Sequence, residues 1–118
     1  MRKLKIYISG PMSGMPKLNI AAFETIKKAL ETIGADVYTP HQNGLPKDAT
    51  YNEHLVRDIE LLLSCDAIYQ LQGWQESTGA QIEMFIAKRM GLLCFDFNTP
   101  LPQFFNYINS FGKRAIND

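Results

Sequence analysis

Apolar and polar residues follow one another in segments whose lengths and periods are typical of alternating strands and helices. Short apolar or β-branched runs predict four strands, at residues 4–9, 35–40, 66–71 and 92–97. Apolar residues at helical spacing predict three helices between these runs, at residues 19–33, 51–65 and 78–90. This alternation predicts a small doubly wound α/β fold, a parallel sheet of four to five strands with helices on both faces.

In folds of this type, ligands bind beyond the carboxyl ends of the strands, where the strand order reverses. Three loops follow predicted strands and are rich in turn-forming residues. They are the loops at residues 10–14 (GPMSG), 41–50 (HQNGLPKDAT) and 73–77 (GWQES). We therefore expect any ligand-binding site to be built from these loops.

The chain of 118 residues is long enough for one domain with a hydrophobic core. We interpret residues 1–118 as a single domain that ends in an aromatic-rich segment, residues 98–118. The segment carries five large apolar side chains, those of Phe104, Phe105, Tyr107, Ile108 and Phe111. Two interpretations stay open: these side chains cap the core of their own domain, or they pack on a second subunit.

Glu83 interrupts the apolar face of the third predicted helix. At about 100° per residue, small or apolar residues surround it on the helical wheel. They are Gly79, Ala80, Ile86, Ala87 and Met90. Burying an unpaired carboxylate costs several kcal/mol, so Glu83 is expected to be paired, protonated or used in chemistry. The pattern itself leaves a structural ion pair with Lys or Arg and a functional role both open.

Three further residues have a structural and a functional interpretation. Ser77 precedes the third helix and suits an N-cap, and the same helix start can bind a phosphate group. Asp58 lies at the margin of the apolar face of the second helix, where it can bind a loop or act as an acid. Tyr7 lies in the first strand and suits either core packing or a ligand contact.

Composition excludes several classes of function. Twelve basic and twelve acidic residues cancel, which gives no electrostatic basis for binding a nucleic acid polymer or a membrane surface. Cys65 and Cys94 are expected to be reduced, buried and structural, and the two histidines are too isolated for a metal site. The apolar run near the N-terminus is too short for a signal peptide, so a cytoplasmic protein with a small-molecule ligand is expected.

Motifs for the common nucleotide cofactors are not found. The GPMSG loop lacks the GxGxxG spacing of a dinucleotide site and the GK[ST] ending of a P-loop. The sequence also has neither the GxSxG elbow of the α/β-hydrolases nor an HExxH zinc motif. The remaining candidates are two carboxylates on successive helices and a possible phosphate site, the components of a glycosyl-transfer site.

Three motifs resemble those of the nucleoside 2-deoxyribosyltransferase superfamily, and within it most closely the 2′-deoxynucleoside 5′-monophosphate N-hydrolases. The first motif, IYISGPMSG, contains a tyrosine that leads into a glycine loop. The second, RDIELLLSCDAIY, has two aspartates eight residues apart, Asp58 and Asp66. The third is SxGxxxE, formed by Ser77, Gly79 and Glu83. The resemblance runs from about Lys5 to Leu93 and does not include the C-terminal segment.

The resemblance implies a catalytic set of Glu83 as nucleophile, Asp58 as active-site acid and Tyr7 as the residue that holds Glu83. It also implies a substrate- and phosphate-binding set, formed by Ser77, Gly79, Gly10, Ser13 and Gly14. Relatives that act on free nucleosides have aspartate at the position of Ser77, whereas the monophosphate hydrolases have serine. In the first loop the chain departs from the hydrolases, since Met12 stands where they carry an arginine.

The activity that the resemblance implies is hydrolysis of the base–deoxyribose bond of a 2′-deoxynucleoside 5′-monophosphate through a glycosyl-Glu83 intermediate. Neither a metal nor an organic cofactor is required for this reaction. Two alternatives stay open: a transferase that exchanges bases, and a module that binds nucleotides without cleaving them. The resemblance also implies a homo-oligomer, a dimer or larger, because family members complete the pocket with residues of a neighbouring subunit.

Overall fold

The computed structural model describes residues 2–100, 103–104 and 106–108. Strands and helices alternate along the chain and differ from the predicted segments by only a few residues at either end. In chain order they are β1 (Lys5–Ser9), α1 (Ile20–Thr32), β2 (Asp36–Tyr38), α2 (Tyr51–Leu63), β3 (Ala67–Gln70), α3 (Thr78–Arg89) and β4 (Leu93–Asp96). None of the described helices is long and apolar enough to cross a bilayer.

The strands of the described residues form one parallel sheet in the order β2-β1-β3-β4. The chain moves to one side of β1 to form β2 and then to its other side to form β3. The strand order therefore reverses between β1 and β3, as in flavodoxin-like folds. At this reversal the last residues of the two strands, Ser9 and Gln70, lie opposite one another. The doubly wound architecture that the sequence predicts is confirmed.

Both faces of the sheet are covered by helices. On one face, Ile6 and Ile8 of β1 pack with Phe23 of α1 in a buried cluster. On the other face, Tyr7 packs in a second buried cluster with Leu62 of α2 and with residues of α3. Since successive strand residues point to opposite faces, Tyr7 and Ser9 both face α2 and α3. Polar residues of β1 are thereby directed at the two helices that carry the candidate carboxylates.

A left-handed stretch connects the first loop to α1. Lys17, Leu18 and Asn19 are consecutive non-glycine residues with φ of 49°, 55° and 60°. This conformation costs roughly 1–2 kcal/mol for each residue. The Asn19 side-chain amide donates to the carbonyl oxygen of Pro11 at 3.0 Å. This hydrogen bond fixes the GPMSG loop to the start of α1.

The described part of the C-terminal segment packs on its own domain. Residues 103–104 and 106–108 are helical, and Phe104 and Ile108 are buried in the cluster on the α1 face of the sheet. The ring of Phe104 lies 4.3 Å, centroid to centroid, from the ring of Phe95 in β4. Of the two open interpretations, these residues favour a cap on the core. Phe105 and Phe111 lie outside the described residues.

The two cysteines differ in burial. Cys65 is buried after α2, as expected, whereas Cys94 is exposed, so the expectation of a buried Cys94 is wrong. Cys94 lies in β4, which pairs only with β3 in the described sheet. An edge strand is covered less completely by helices than a central one, which leaves the Cys94 side chain accessible.

Candidate active site

Glu83 lies on the buried face of α3 and is only 5% exposed. Ala80 and Ala87, one turn before it and one turn after it, are also buried, so the helical wheel placed Glu83 correctly. Met90, which the same wheel placed on this face, is the C-cap residue and is 62% exposed. The carboxylate of Glu83 is thus enclosed by the protein.

Both carboxylate oxygens of Glu83 accept hydrogen bonds from side chains of β1. The hydroxyl of Tyr7 donates to Oε2 at 2.7 Å, and the hydroxyl of Ser9 donates to Oε1 at 2.7 Å. Within the part of the chain that the structure describes, Glu83 has no ion pair with Lys, Arg or His. The structural ion pair that the sequence left open is therefore absent among these residues. Two neutral hydroxyl groups hold the carboxylate instead.

This environment changes the acidity of both partners. Burial raises the pKa of Glu83 to about 7, against the hydrogen bonds from Tyr7 and Ser9, which lower it. Burial also raises the pKa of Tyr7 well above its ordinary value, and the nearby charges of Glu83 and Asp58 raise it further. The Tyr7 hydroxyl therefore keeps its proton at neutral pH and acts as a permanent donor to Glu83.

Asp58 lies on α2, half-buried, with its charge close enough to affect this pair. Burial raises its pKa to about 6, while a hydrogen bond from Asn43 and the electrostatic influence of the nearby His54 and Arg57 side chains oppose the increase. The Nδ2 atom of Asn43 donates to Oδ1 of Asp58 at 2.9 Å. Because the Asp58 charge raises the pKa of both Glu83 and Tyr7, the electrostatics couple these three side chains at one site.

The start of α3 adjoins the start of α2. Ser77 is the N-cap of α3, and its Oγ atom accepts a hydrogen bond from the backbone N–H of Ala80 at 3.3 Å. Gly79 lies one helical turn before Glu83 and hence on the same face. A Cβ atom at Gly79 would lie 3.4 Å from the hydroxyl of Tyr51, the first residue of α2. The absence of a side chain at Gly79 leaves this part of the helix surface open.

Packing explains why Gly10, the first residue of the first loop, is a glycine. A Cβ atom at Gly10 would lie 2.8 Å from the Cβ atom of Leu71, so only glycine fits without a shift of the chain. Ser13 and Gly14 are exposed, and Gly14 has a φ of +79°. No described hydrogen bond connects Ser13 with Glu83 or Asp58. The structure thus positions Gly10 by packing and leaves Ser13 and Gly14 in an exposed turn.

Three buried polar residues at the site were not singled out from the sequence: Ser9, Asn43 and Gln70. The Nε2 atom of Gln70 donates to the carbonyl oxygen of Ala80 at 3.1 Å, which connects the end of β3 to the first turn of α3. The position of Ser9, two residues after Tyr7, was the one available signal, because residues two apart in a strand share a face. Asn43 lies in a loop without periodicity, where the sequence carries no comparable signal.

Comparison with known proteins gave one family and several similar structures. The model of the family described as a domain of unknown function (DUF4406) matches residues 4–96. The fold is similar to that of a 2-deoxyribosyltransferase from Leishmania mexicana, with a TM-score of 0.65 and 20% identity over 82% of this chain. A 2-deoxyribosyltransferase from Bacillus psychrosaccharolyticus gives a TM-score of 0.62 and 18% identity over 82% of this chain.

A third similar structure is a conserved protein from Enterococcus faecalis V583, with a TM-score of 0.61 and 25% identity over 80% of this chain. The matched regions cover 65% of the Leishmania protein, 75% of the Bacillus protein and 63% of the Enterococcus protein. Comparison with curated proteins gave no match. From the family match and the shared topology we conclude that the chain belongs to the DUF4406 family and has the fold of the 2-deoxyribosyltransferases.

Proposed function

We propose that the protein is an N-glycosidase that hydrolyses the base–deoxyribose bond of a 2′-deoxynucleoside 5′-monophosphate. The main support is the environment of Glu83, a buried carboxylate held by the hydroxyls of Tyr7 and Ser9 and not by a cation among the described residues. A cation would lower the nucleophilicity of the carboxylate, whereas two hydroxyl donors orient it and leave lone pairs available. The shared fold with 2-deoxyribosyltransferases supports the same class of chemistry.

The proposed reaction has two steps. First, a carboxylate oxygen of Glu83 bonds to the anomeric carbon as the N-glycosidic bond breaks, and the electron pair of that bond leaves with the base, which takes up a proton. Second, water attacks the same carbon and the ester bond to Glu83 breaks. The carboxylate is regenerated, and the proton of the water is released. The products are the free base and deoxyribose 5-phosphate.

Asp58 and Tyr7 are proposed to support this nucleophile. Tyr7 keeps its proton at neutral pH, so it can stabilise the ionised form of Glu83 before attack and after regeneration. Asp58 orients the sugar or assists departure of the base. Without a 2′-hydroxyl, positive charge forms more easily at the anomeric carbon of the sugar. The two carboxylates of the proposed site would stabilise this charge, which favours a deoxyribose substrate.

The phosphate is proposed to bind at the start of α3. Ser77 and Gly79 lie at this helix N-terminus, where free backbone N–H groups and the helix dipole favour an anion. A carboxylate at position 77 would repel the phosphate, whereas the hydroxyl of Ser77 can donate to it. Gly10, Ser13 and Gly14 of the first loop are proposed to complete this side of the pocket.

The proposal is tested by incubating the protein with each deoxynucleoside monophosphate and measuring free base and deoxyribose 5-phosphate. We expect both products in equal amounts. A second free base in the reaction distinguishes hydrolysis from transfer, because a transferase would form a new nucleotide and little sugar phosphate. Binding without release of any base would contradict the proposal and favour a nucleotide-binding module.

The Ser77→Asp substitution is expected to reduce kcat/KM for the monophosphate by about 10²-fold, since a carboxylate replaces a donor beside the phosphate. Cleavage of the corresponding nucleoside should change less than threefold or increase. Initial rates on the two substrates measure this change in specificity. Thr25→Asp, at an exposed position on α1, is the matched control for an added negative charge. An equal loss of activity on nucleoside and monophosphate would contradict phosphate binding at Ser77.

A further inference from the structure

Asn43 is buried and makes an unusually complete set of hydrogen bonds. It lies in the loop between β2 and α2 and is only 4% exposed. Its Nδ2 atom lies 2.9 Å from Oδ1 of Asp58 and 3.1 Å from Nδ1 of His54. Its Oδ1 atom accepts from the backbone N–H of Leu45 at 3.0 Å, and its backbone carbonyl accepts from Nε of Arg57 at 3.0 Å. This single residue connects the loop to three side chains on α2.

These contacts fix the orientation of the Asn43 amide. The N–H of Leu45 can only donate, so the atom that it contacts must be the carbonyl oxygen of Asn43. The amide nitrogen then faces both Asp58 and His54 and uses one hydrogen for each. His54 must accept through Nδ1, and this network assigns its proton to Nε2. Rotating the amide by 180° would break the hydrogen bond with Leu45 and place the amide oxygen against Oδ1 of Asp58.

We propose that Asn43 is a positioning residue for the reaction proposed above: it directs the Asp58 carboxylate at the reacting sugar, and His54 and Leu45 hold the amide in place. This inference rests on the proposed function for its effect on the rate. Oδ1 of Asp58 is occupied by Asn43, which leaves Oδ2 for the substrate. The hydrogen bonds of Asn43 therefore join the loop at residues 41–50 to Asp58.

Asp58 is surrounded by titratable groups from three elements. Glu83 of α3 and Tyr7 of β1 are coupled to its charge, and His54 and Arg57 lie beside it on α2. Asn43 provides a neutral donor to Asp58 among them, and this hydrogen bond lowers the pKa of Asp58. Without this donor, the effect of burial on the pKa of Asp58 is opposed less strongly. Asp58 would therefore keep its proton up to a higher pH.

The Asn43→Asp substitution tests the proposal because it keeps the shape of the side chain and the acceptor for Leu45 but replaces the donor to Asp58 by a second carboxylate oxygen, whose charge also raises the pKa of Asp58. We expect kcat to fall at least 30-fold at neutral pH with KM unchanged within threefold. The limb of the pH–rate profile that reports Asp58 should move to higher pH. Asn52→Asp, at an exposed position on α2, is the matched control and should leave both constants unchanged. An effect on KM alone would overturn the proposed role.

Nuclear magnetic resonance provides a readout that does not depend on activity. In the wild type, the ¹⁵N shifts of His54 should show the Nε2–H tautomer, and an Nδ1–H tautomer would overturn the proposal. In Asn43→Asp, the ¹³C-monitored titration of Asp58 should move up by about one pH unit, and an unchanged titration would overturn it. Asn43→Ala removes the donor without adding a charge, and the Asp58 titration should move up in this variant as well. It also takes the place of Asn43→Asp if that variant does not fold.

These measurements separate the inference from the proposed function. If no deoxynucleotide is cleaved but wild-type His54 shows the Nε2–H tautomer and the Asp58 titration moves up in the Asn43 variants, the proposed activity fails and the positioning of Asp58 by Asn43 stands. If the nucleotide is cleaved but the Asp58 titration is unchanged in the Asn43 variants, the activity stands and the inference fails.

Discussion

Replacing Glu83 by glutamine is expected to reduce the rate of base release by at least about 10⁴-fold, because an amide oxygen is a poor nucleophile. The variant should still fold, since glutamine has the shape of glutamate and its amide can hydrogen-bond to both Tyr7 and Ser9. Substrate binding should change little. Rapid-quench measurement of base release from a deoxynucleoside monophosphate determines the loss.

The control for this substitution is Glu31→Gln, at an exposed position on α1, which should keep the wild-type rate. The mechanism also predicts a covalent intermediate, visible as a deoxyribose phosphate adduct on the peptide that contains Glu83 when the wild-type reaction is quenched and analysed by mass spectrometry. Base release by Glu83→Gln within tenfold of the wild-type rate would show that this carboxylate is not the nucleophile.

Activity and folding stability are expected to change in opposite directions with pH. The pKa of Glu83 rises from 4.5 to about 7 on folding. The folded state therefore retains a proton between these values that the unfolded state has lost. The contribution of this group to stability is fully present below pH 4.5 and is lost as the pH rises through 7. Its size is on the order of 3 kcal/mol. Asp58, whose pKa also rises, changes stability in the same direction.

In the proposed mechanism the same proton blocks the reaction, because protonated Glu83 would not attack the sugar. Activity should thus increase as the pH rises through about 7 while the free energy of unfolding decreases. Urea denaturation and initial rates measured together from pH 5 to 8 test both responses. In Glu83→Gln, the decrease of stability across this range should be reduced to the part that Asp58 contributes. Wild-type stability that increases from pH 5 to 8 would contradict the assignment of Glu83.

The sequence predicted the fold well because each element has a local period. Helices α1 to α3 and strands β1 to β4 lie within a few residues of the predicted bounds. The position of Glu83 on a buried face was also visible, since it depends only on helix geometry. Local residue patterns therefore predicted both the architecture and the principal candidate residue of the site, Glu83.

The partners of Glu83 could not be predicted from residue patterns. Ser9 and Glu83 are 74 residues apart in the sequence and meet only because α3 packs over the end of β1. Tyr7 was assigned to Glu83 through the family resemblance, since a tyrosine in a strand is more often part of the core. Asn43 lies in an irregular loop, and its contact with Asp58 depends on how that loop folds onto α2.

The position of β1 inside the sheet has a consequence for biosynthesis. β1, which precedes the other described strands in the chain, is flanked by β2 on one side and by β3 on the other. Its second neighbour is complete only when Gln70 has been added, and the helix with Glu83 follows still later. One edge of β1 therefore stays unpaired during synthesis until β3 has been added, and an unpaired apolar strand edge is prone to aggregation during that time. Tyr7 and Ser9 meet the Glu83 carboxylate only when α3 docks, so a partly synthesised chain lacks the candidate site.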